Sequence, residues 1–348
     1  MIFINGRFLT QKITGVQRFG IEVLKELDSL VPKGTIEVLS PPGIINKVKL
    51  NNIIIRTIGK KSNNFWTQIT FPVYVLRHHG TGLTMAGLCP VIKPDYFVAH
   101  DITFIRHPES FSKAFRLSYI ACYFASLNRC KKIFTVSEFS KREISKTIHV
   151  PESKFIVVSP SSGHLKASVY SEIDLGKFGI KGDKYYLSVS SQNKHKNQNY
   201  IMDLAKLNPD KKFVIVGGAK IKSFNQISYD SLDTVILTGY VSNDELYTLY
   251  KYAEGFIFPS LYEGFGLPPL EAITMGVKRV AVSKIPVFEE IYDKDVYYFD
   301  PLTPKTFDFE TFNAIQISDE DRVTYLEDHN WKKTASQILS TVKKNEGN

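Results

Sequence analysis

The sequence predicts an α/β protein built as two Rossmann-like doubly wound domains facing a cleft. Three observations lead there. Short apolar strands alternate with helical segments along the chain, the pattern of parallel α/β units. The alternation stops at a polar, glycine-bearing stretch between Ser159 and Asp183 and then restarts. The length, 348 residues, is long for one core and comfortable for two. Sheets of this kind bind ligands outside the carboxyl ends of their strands, so functional residues are sought at strand ends.

In the first half, strands are predicted at Ile2 to Asn5, Ile36 to Leu39, Ile53 to Arg56, Tyr96 to Ala99, Ile133 to Val136 and Phe155 to Val158. Helices are predicted at Val16 to Leu30, Phe65 to Arg77, Phe111 to Asn128 and Ser140 to Ile148. In the second half, strands fall at Tyr185 to Val189, Lys212 to Val216, Val235 to Leu237, Gly255 to Phe258 and Arg279 to Val282. The clearest helices between them are Asn197 to Leu207 and Asp244 to Tyr252. These elements divide the chain into a first domain at 1–165, a linker at 166–183, a second domain at 184–330 and a last helix within 331–348.

Composition narrows the function classes. No apolar run reaches the roughly 18 residues of a membrane span. The opening MIFINGRF reads as a strand and a turn, without the long apolar region of a signal peptide, which points to the cytoplasm. Cys89, Cys122 and Cys130 are odd in number and lack CxxC spacing, so reduced thiols are expected, with no disulfide frame and no zinc site. The formal charge of +9 suits nucleic acid, an anionic membrane or anionic substrates. Nucleic acid is set aside, since no zinc finger, RNP-type strand or basic repeat is present. Lys113, Arg116, Arg129, Lys131 and Lys132 flank Phe111, Phe115, Tyr119, Tyr123 and Phe124 at helical spacing. A core-facing helix with a solvated basic side and a helix on an anionic membrane surface both fit that pattern.

The stretch Phe258 to Ala272, FPSLYEGFGLPPLEA, carries the strongest functional signal. A buried strand ends at Phe258, Gly264-Phe265-Gly266 makes a tight loop, and Pro268-Pro269 suits the first turn of a helix beginning near Leu267. A glycine loop and a helix start offer free amides and the positive end of a dipole to an anion. Glu263 and Glu271, separated by seven residues, bracket this turn. Carboxylates do not bind phosphate, so they should face neutral hydroxyl-rich groups beside it, such as a sugar or a ribose. Taken alone, two glutamates at a helix start can equally be dipole partners.

The order Glu-Gly-Phe-Gly-Leu-Pro-x-x-Glu, followed by Ala272-x-x-x-Gly276, resembles the donor-site signature of the family 4 retaining glycosyltransferases. Val280 to Ser283, Pro286, Glu289 to Ile291 and Tyr298 to Pro301 continue the resemblance, which is strongest from Tyr185 to Pro301. It implies the GT-B fold, with the last helix, around Trp331 to Val342, crossing back onto the first domain. It implies that Lys196, after Ser188 to Ser191 and before Asn197, meets the donor diphosphate. Ser191 stands where many members have an arginine, and Lys194 is the nearest substitute. Tyr240 and Val241 match the segment near the nucleobase. In the first domain, Gly15 matches a glycine loop at the first helix, with Arg18 either on an anionic acceptor or paired on the helix surface. His100, followed by Asp101 at the end of a strand, matches the histidine beside the transferred sugar. Ser137 or Ser140 reads as a helix cap.

The resemblance therefore implies a metal-independent transfer of a hexose or deoxyhexose, without cofactor, from a nucleotide diphosphate sugar. The acceptor would be a saccharide, including lipid-linked glycans of surface-polysaccharide assembly such as O-antigen. Attack would come from the leaving-group face, with Glu263, His100 and Lys196 at the reacting groups and Glu271 on the ribose. Asp293-Lys294-Asp295 is formally a metal-binding triplet but reads as a surface turn. A sugar-nucleotide epimerase of similar fold and a donor-binding protein without transfer are the alternatives.

Overall fold

The computed structural model describes residues 1–165, 171–180, 182, 184–191, 193–217, 232–292 and 294–347. The chain divides into two units, Met1–Pro160 with Asn330–Asn348, and Ser161–His329. Each is built on one wholly parallel sheet.

The first sheet holds β1 (Ile2–Asn5), β2 (Ile36–Ser40), β3 (Ile54–Thr57), β4 (Thr81–Thr84), β5 (Tyr96–Val98), β6 (Lys132–Thr135) and β7 (Phe155–Val157), in the order β3-β2-β1-β4-β5-β6-β7. β1, β2, β4 and β5 are buried along their whole length, as expected of strands covered on both faces. The second sheet holds β8 (Tyr186–Val189), β9 (Phe213–Val216), β10 (Val235–Gly239), β11 (Gly255–Phe258), β12 (Val280–Ser283) and β13 (Tyr297–Phe299), in the order β10-β9-β8-β11-β12-β13. In each sheet the winding reverses beside the first strand, at β1/β4 and at β8/β11. These are the switch points at which such sheets open a crevice.

The two parallel-sheet α/β domains read from the sequence are observed, and most predicted strands are in place within a residue or two. β4 was not predicted, because Thr-Gly-Leu-Thr has no apolar run; it is held by β1 and β5. β13 was not counted as a strand either. The helix expected from Phe65 begins instead as a π-helical turn, Trp66–Thr70, before the α-helix Phe71–Arg77. Pro72 has no N–H to return to a carbonyl four residues back, which disfavours regular α-helical bonding there.

The boundary between units falls after Pro160, ahead of the expected linker at 166–183. The described part of that stretch packs on the second unit. The Ile173 amide donates to Thr248 Oγ1 at 3.2 Å, Lys177 pairs with Glu245, and Leu175 is buried. Polarity alone did not reveal these anchors. In the first unit, the helix Trp331–Glu346 packs on the helix Gly15–Leu30, with the Trp331 and Phe19 rings 5.7 Å apart. Its Glu346 accepts from Thr81 Oγ1 at 2.7 Å, Tyr96 Oη at 3.1 Å and Lys131 Nζ at 2.5 Å. Burial raises that carboxyl's pKa, but these bonds win and hold it below its ordinary value.

The helix Lys113–Ser126 buries only Tyr123 and Ser126 and leaves Phe115, Leu117 and Phe124 exposed. It has an apolar inner side, with Tyr119 and Tyr123 against Phe104 and Tyr123 against Phe97, as well as these exposed residues. The cysteines are free thiols, Cys89 and Cys130 buried and Cys122 partly so. Among the described residues no helix is long and apolar enough to cross a membrane.

Candidate functional site

The second unit's switch point gathers the strongest group. The turn after β8 runs through Ser190 and Ser191 into the 3-10 turn Lys194–Lys196 and, through Asn197 in left-handed conformation (φ 54°), into the helix Gln198–Leu207. The stretch after β11 carries Glu263. Lys196 Nζ and Glu263 Oε1 lie 2.5 Å apart, both side chains largely buried, and the ammonium sits 5.7 Å from the centre of the Phe258 ring. Backbone ties fix the two stretches: the carbonyl of buried His195 accepts from the Leu261 amide at 2.7 Å and from Ser260 Oγ at 3.2 Å. Gln198 Nε2 donates to Ser190 Oγ at 3.0 Å, and Asn197 Nδ2 to the Pro301 carbonyl at 2.8 Å. A cation and a carboxylate 67 residues apart in sequence are thus brought to one place.

Gly264 and Phe265 are buried, and Gly266 precedes the helix Leu267–Thr274. Gly266 has φ 97°, and its carbonyl accepts from Tyr292 Oη at 2.6 Å. The helix start is a poorer amide source than the sequence suggested. Pro268 and Pro269 have no N–H, so the amides nearest the turn are those of Gly266 and Leu267. Lys196 is the fixed positive charge there.

Glu271, on the same helix, does not meet Lys196. Its Oε2 accepts from Tyr250 Oη at 3.2 Å, and its Oε1 lies 3.2 Å from His164 Nε2. Burial, then the facing Glu271 carboxylate, push the Tyr250 phenol well above its ordinary value, so it stays a donor. Neither Tyr250 nor His164 was picked out from the sequence. Both lie outside the glutamate motif, and only the parallel winding brings them to Glu271. Ser191 is half-buried and Lys194 exposed. Tyr240 is 80% exposed just after β10, and Val241 is half-buried.

In the first unit, His100 lies past the end of β5, with its ring edge-on to Phe19 at 5.0 Å. Its Nε2 is 2.9 Å from the Met85 carbonyl. A carbonyl only accepts, so Nε2 carries the proton and Nδ1 keeps its lone pair in the neutral ring. Burial lowers the imidazole's pKa, and the Met85 carbonyl and Asp101 oppose it without prevailing. Asp101 Oδ1 accepts from the Thr103 amide at 2.7 Å and is a loop cap. Gly15 is the exposed first residue of its helix, after a capping box formed by Thr14 and Gln17. Arg18 pairs along the helix with Glu22 at 3.8 Å. Ser137, which accepts from the Ser140 amide at 3.0 Å, is the cap of the helix Glu138–Ile148.

Among the described residues no group of three His, Cys, Asp or Glu side chains is placed to hold a metal ion. Asp293 of the Asp-Lys-Asp triplet lies outside the described residues.

The O-antigen chain mannosyltransferase RfbU of Salmonella typhimurium is 30% identical over 66% of this chain and 63% of its own length. The O-antigen chain mannosyltransferase B of Escherichia coli is 25% identical over 68% of this chain and 62% of its own. The chain thus spans somewhat under two thirds of these curated relatives. The solved sucrose-phosphate synthase of Thermosynechococcus elongatus superposes with a TM-score of 0.71 over 99% of this chain and 98% of that one, at 13% identity, which shows the shared fold. Residues 171–308, which carry Lys196, Glu263 and Glu271, match the family described as Glycosyl transferases group 1, and the second unit is therefore a glycosyl transferases group 1 domain.

Proposed function

We propose that the protein is a retaining glycosyltransferase that moves a hexose from a nucleotide diphosphate sugar to a saccharide acceptor in surface-polysaccharide assembly. The observation that carries this is the Lys196–Glu263 pair, 2.5 Å apart beyond β8 and β11 at the switch point of the second sheet. Breaking a sugar–phosphate bond leaves a diphosphate with added negative charge. Lys196, with the Gly266 and Leu267 amides, stabilises that charge in the transition state. Glu263 then turns to the hydroxyls of the transferred sugar, and Glu271, oriented by Tyr250, takes the ribose hydroxyls. His100 serves the sugar through its unprotonated Nδ1, and Tyr240 and Val241 flank the base. The departing diphosphate assists removal of the acceptor proton, so attack comes from its own face and the protein contributes orientation and charge stabilisation. With Lys196 as the cation, no metal is required.

Mannose is the sugar favoured by the names of the curated relatives. A lipid-linked acceptor suits the helix Lys113–Ser126, whose exposed Leu117 and Phe124, seven residues apart on one face, fit an anionic membrane surface beside basic residues. Thermal shift against a panel of nucleotide sugars identifies the donor, because a ligand bound only by the folded state raises its stability. Transfer from that donor to a glycan acceptor in excess chelator is the expected result. Epimerised donor with no acceptor present, or activity that depends on added magnesium, would overturn the proposal.

A further inference from the structure

The first unit has its own crevice at the matching place. Arg7 lies just past the end of β1, and the turn 86–88 just past β4, the strands at which the first sheet reverses. Beside them is a cavity of about 150 Å³ lined by Arg7, Gln11, Asn64, Thr67, Phe115 and Tyr119, roughly the room of five water molecules. Among the described residues no carboxylate lines it. Arg7 Nη1 donates to Asn64 Oδ1 at 2.8 Å and to Thr67 Oγ1 at 3.4 Å, both neutral acceptors. Arg7 Nε is buried with no hydrogen-bond partner. Buried donors are almost always satisfied, so an orphaned guanidinium N–H calls for an explanation. The edge left open is the one formed by Nε–H and Nη2–H, whose parallel donors match two oxygens of a phosphate or carboxylate. Beside it Phe115 and Tyr119, whose rings stack on each other at 4.1 Å, add apolar lining to the cavity.

We infer that this cavity is an oxyanion subsite for the acceptor. Arg7 receives two oxygens of a phosphate or carboxylate through Nε–H and Nη2–H, with the rest of the acceptor beside the apolar lining of Phe115 and Tyr119. The word acceptor rests on the transferase reading; the oxyanion chemistry rests on Arg7 alone. Asn64 and Thr67 hold the guanidinium by its far nitrogen and add no negative charge to compete with the ligand.

The test observes Arg7 directly. Protein labelled with 15N-arginine is titrated, without donor, with methyl phosphate, with methyl glucuronide and with chloride at matched ionic strength. The Arg7 Nε–H resonance is assigned by its disappearance in Arg7→Lys. A saturable shift with methyl phosphate assigns the site to a phosphorylated acceptor, and one with the glucuronide assigns it to an acidic sugar. No shift with either, or an equal shift with chloride, overturns the subsite. In transfer assays Arg7→Lys should raise the acceptor KM about tenfold or more and leave the donor KM unchanged, since charge is kept but the fork is lost. An unchanged acceptor KM would also overturn it. A silent Arg7 with transfer intact sinks the subsite alone. A saturable Arg7 without transfer from any donor sinks the transferase reading and leaves the oxyanion site standing.

Discussion

The two sheets reverse their winding in the same way, yet the cations at those points are matched differently. Beyond β8 and β11 the cation Lys196 is matched by Glu263 at 2.5 Å. Beyond β1 the Arg7 guanidinium donates, among the described residues, to the neutral Asn64 and Thr67. A matched pair suits a ligand carrying both anionic and hydroxyl groups, since each partner can be redirected to its own part of the molecule. An unmatched guanidinium suits an oxyanion alone. Topology thus fixes where a crevice forms, and a few side chains after each strand decide what enters it.

The largest effect should come from breaking the matched side. Lys196→Ala should lower turnover by about a hundredfold or more, the usual consequence of removing one transition-state charge stabiliser. Single-turnover rates at saturating donor measure this, and wild-type turnover would remove Lys196 from the site. The two glutamates sharpen the comparison further. Glu271→Gln should weaken binding of the bare nucleoside diphosphate about ten- to a hundredfold, the worth of a hydrogen bond to a charged group. Glu263→Gln should leave that binding nearly intact while lowering turnover, because its proposed partner is the sugar. Calorimetry with the diphosphate separates them, and two variants that bind like wild type would end the ribose assignment of Glu271.

Much of this division was legible before the structure. Strands with apolar runs, such as β1 and β11, could be placed from residue type alone, and the Glu263 to Glu271 motif marked the second crevice. The partners of that motif could not be read. His164 and Tyr250 reach Glu271 only because the sheet winds as it does, and periodicity carries no information on which helix faces which turn. β4 was missed for the same reason that its crevice was: Thr81-Gly82-Leu83-Thr84 lacks a strand signature, and without β4 there is no switch point beside Arg7. Exposure of Phe115, Leu117 and Phe124 is likewise a property of packing, since a basic aromatic helix looks alike from either side of the surface.

The glycines of the two crevices should also respond differently. Gly266 and Gly87 both have positive φ, 97° and 84°. A Cβ on Gly266 would lie 2.5 Å from Phe288 Cε1, and Phe288 is fully buried; a Cβ on Gly87 would meet nothing within 4 Å. Both substitutions by alanine carry the left-handed backbone cost of about 1–2 kcal/mol. Gly266→Ala adds a clash with a ring that has nowhere to go, typically about 1–3 kcal/mol more. Thermal unfolding should therefore rank Gly266→Ala well below Gly87→Ala, and equal midpoints would show that the second crevice is more yielding than its packing implies.

The smallest effect concerns the neutral imidazole of the first unit. Burial lowers the pKa of His100 in the folded state from its ordinary value of 6.5. As pH falls through 6.5 the unfolded chain takes up a proton at this position while the folded chain does not. Stability contributed here is therefore complete above that pH and declines below it, by up to about 1.4 kcal/mol per pH unit until the folded-state pKa is reached. His100→Gln keeps a donor for the Met85 carbonyl and cannot titrate. The difference in unfolding free energy between wild type and this variant should be constant from pH 8 to 7 and shift against wild type on going to pH 5.5. A constant difference over the whole range would mean that His100 charges as easily folded as unfolded. Its Nδ1 would then be protonated in mild acid, and transfer measured over the same range would fall only if Nδ1 acts as an acceptor toward the sugar.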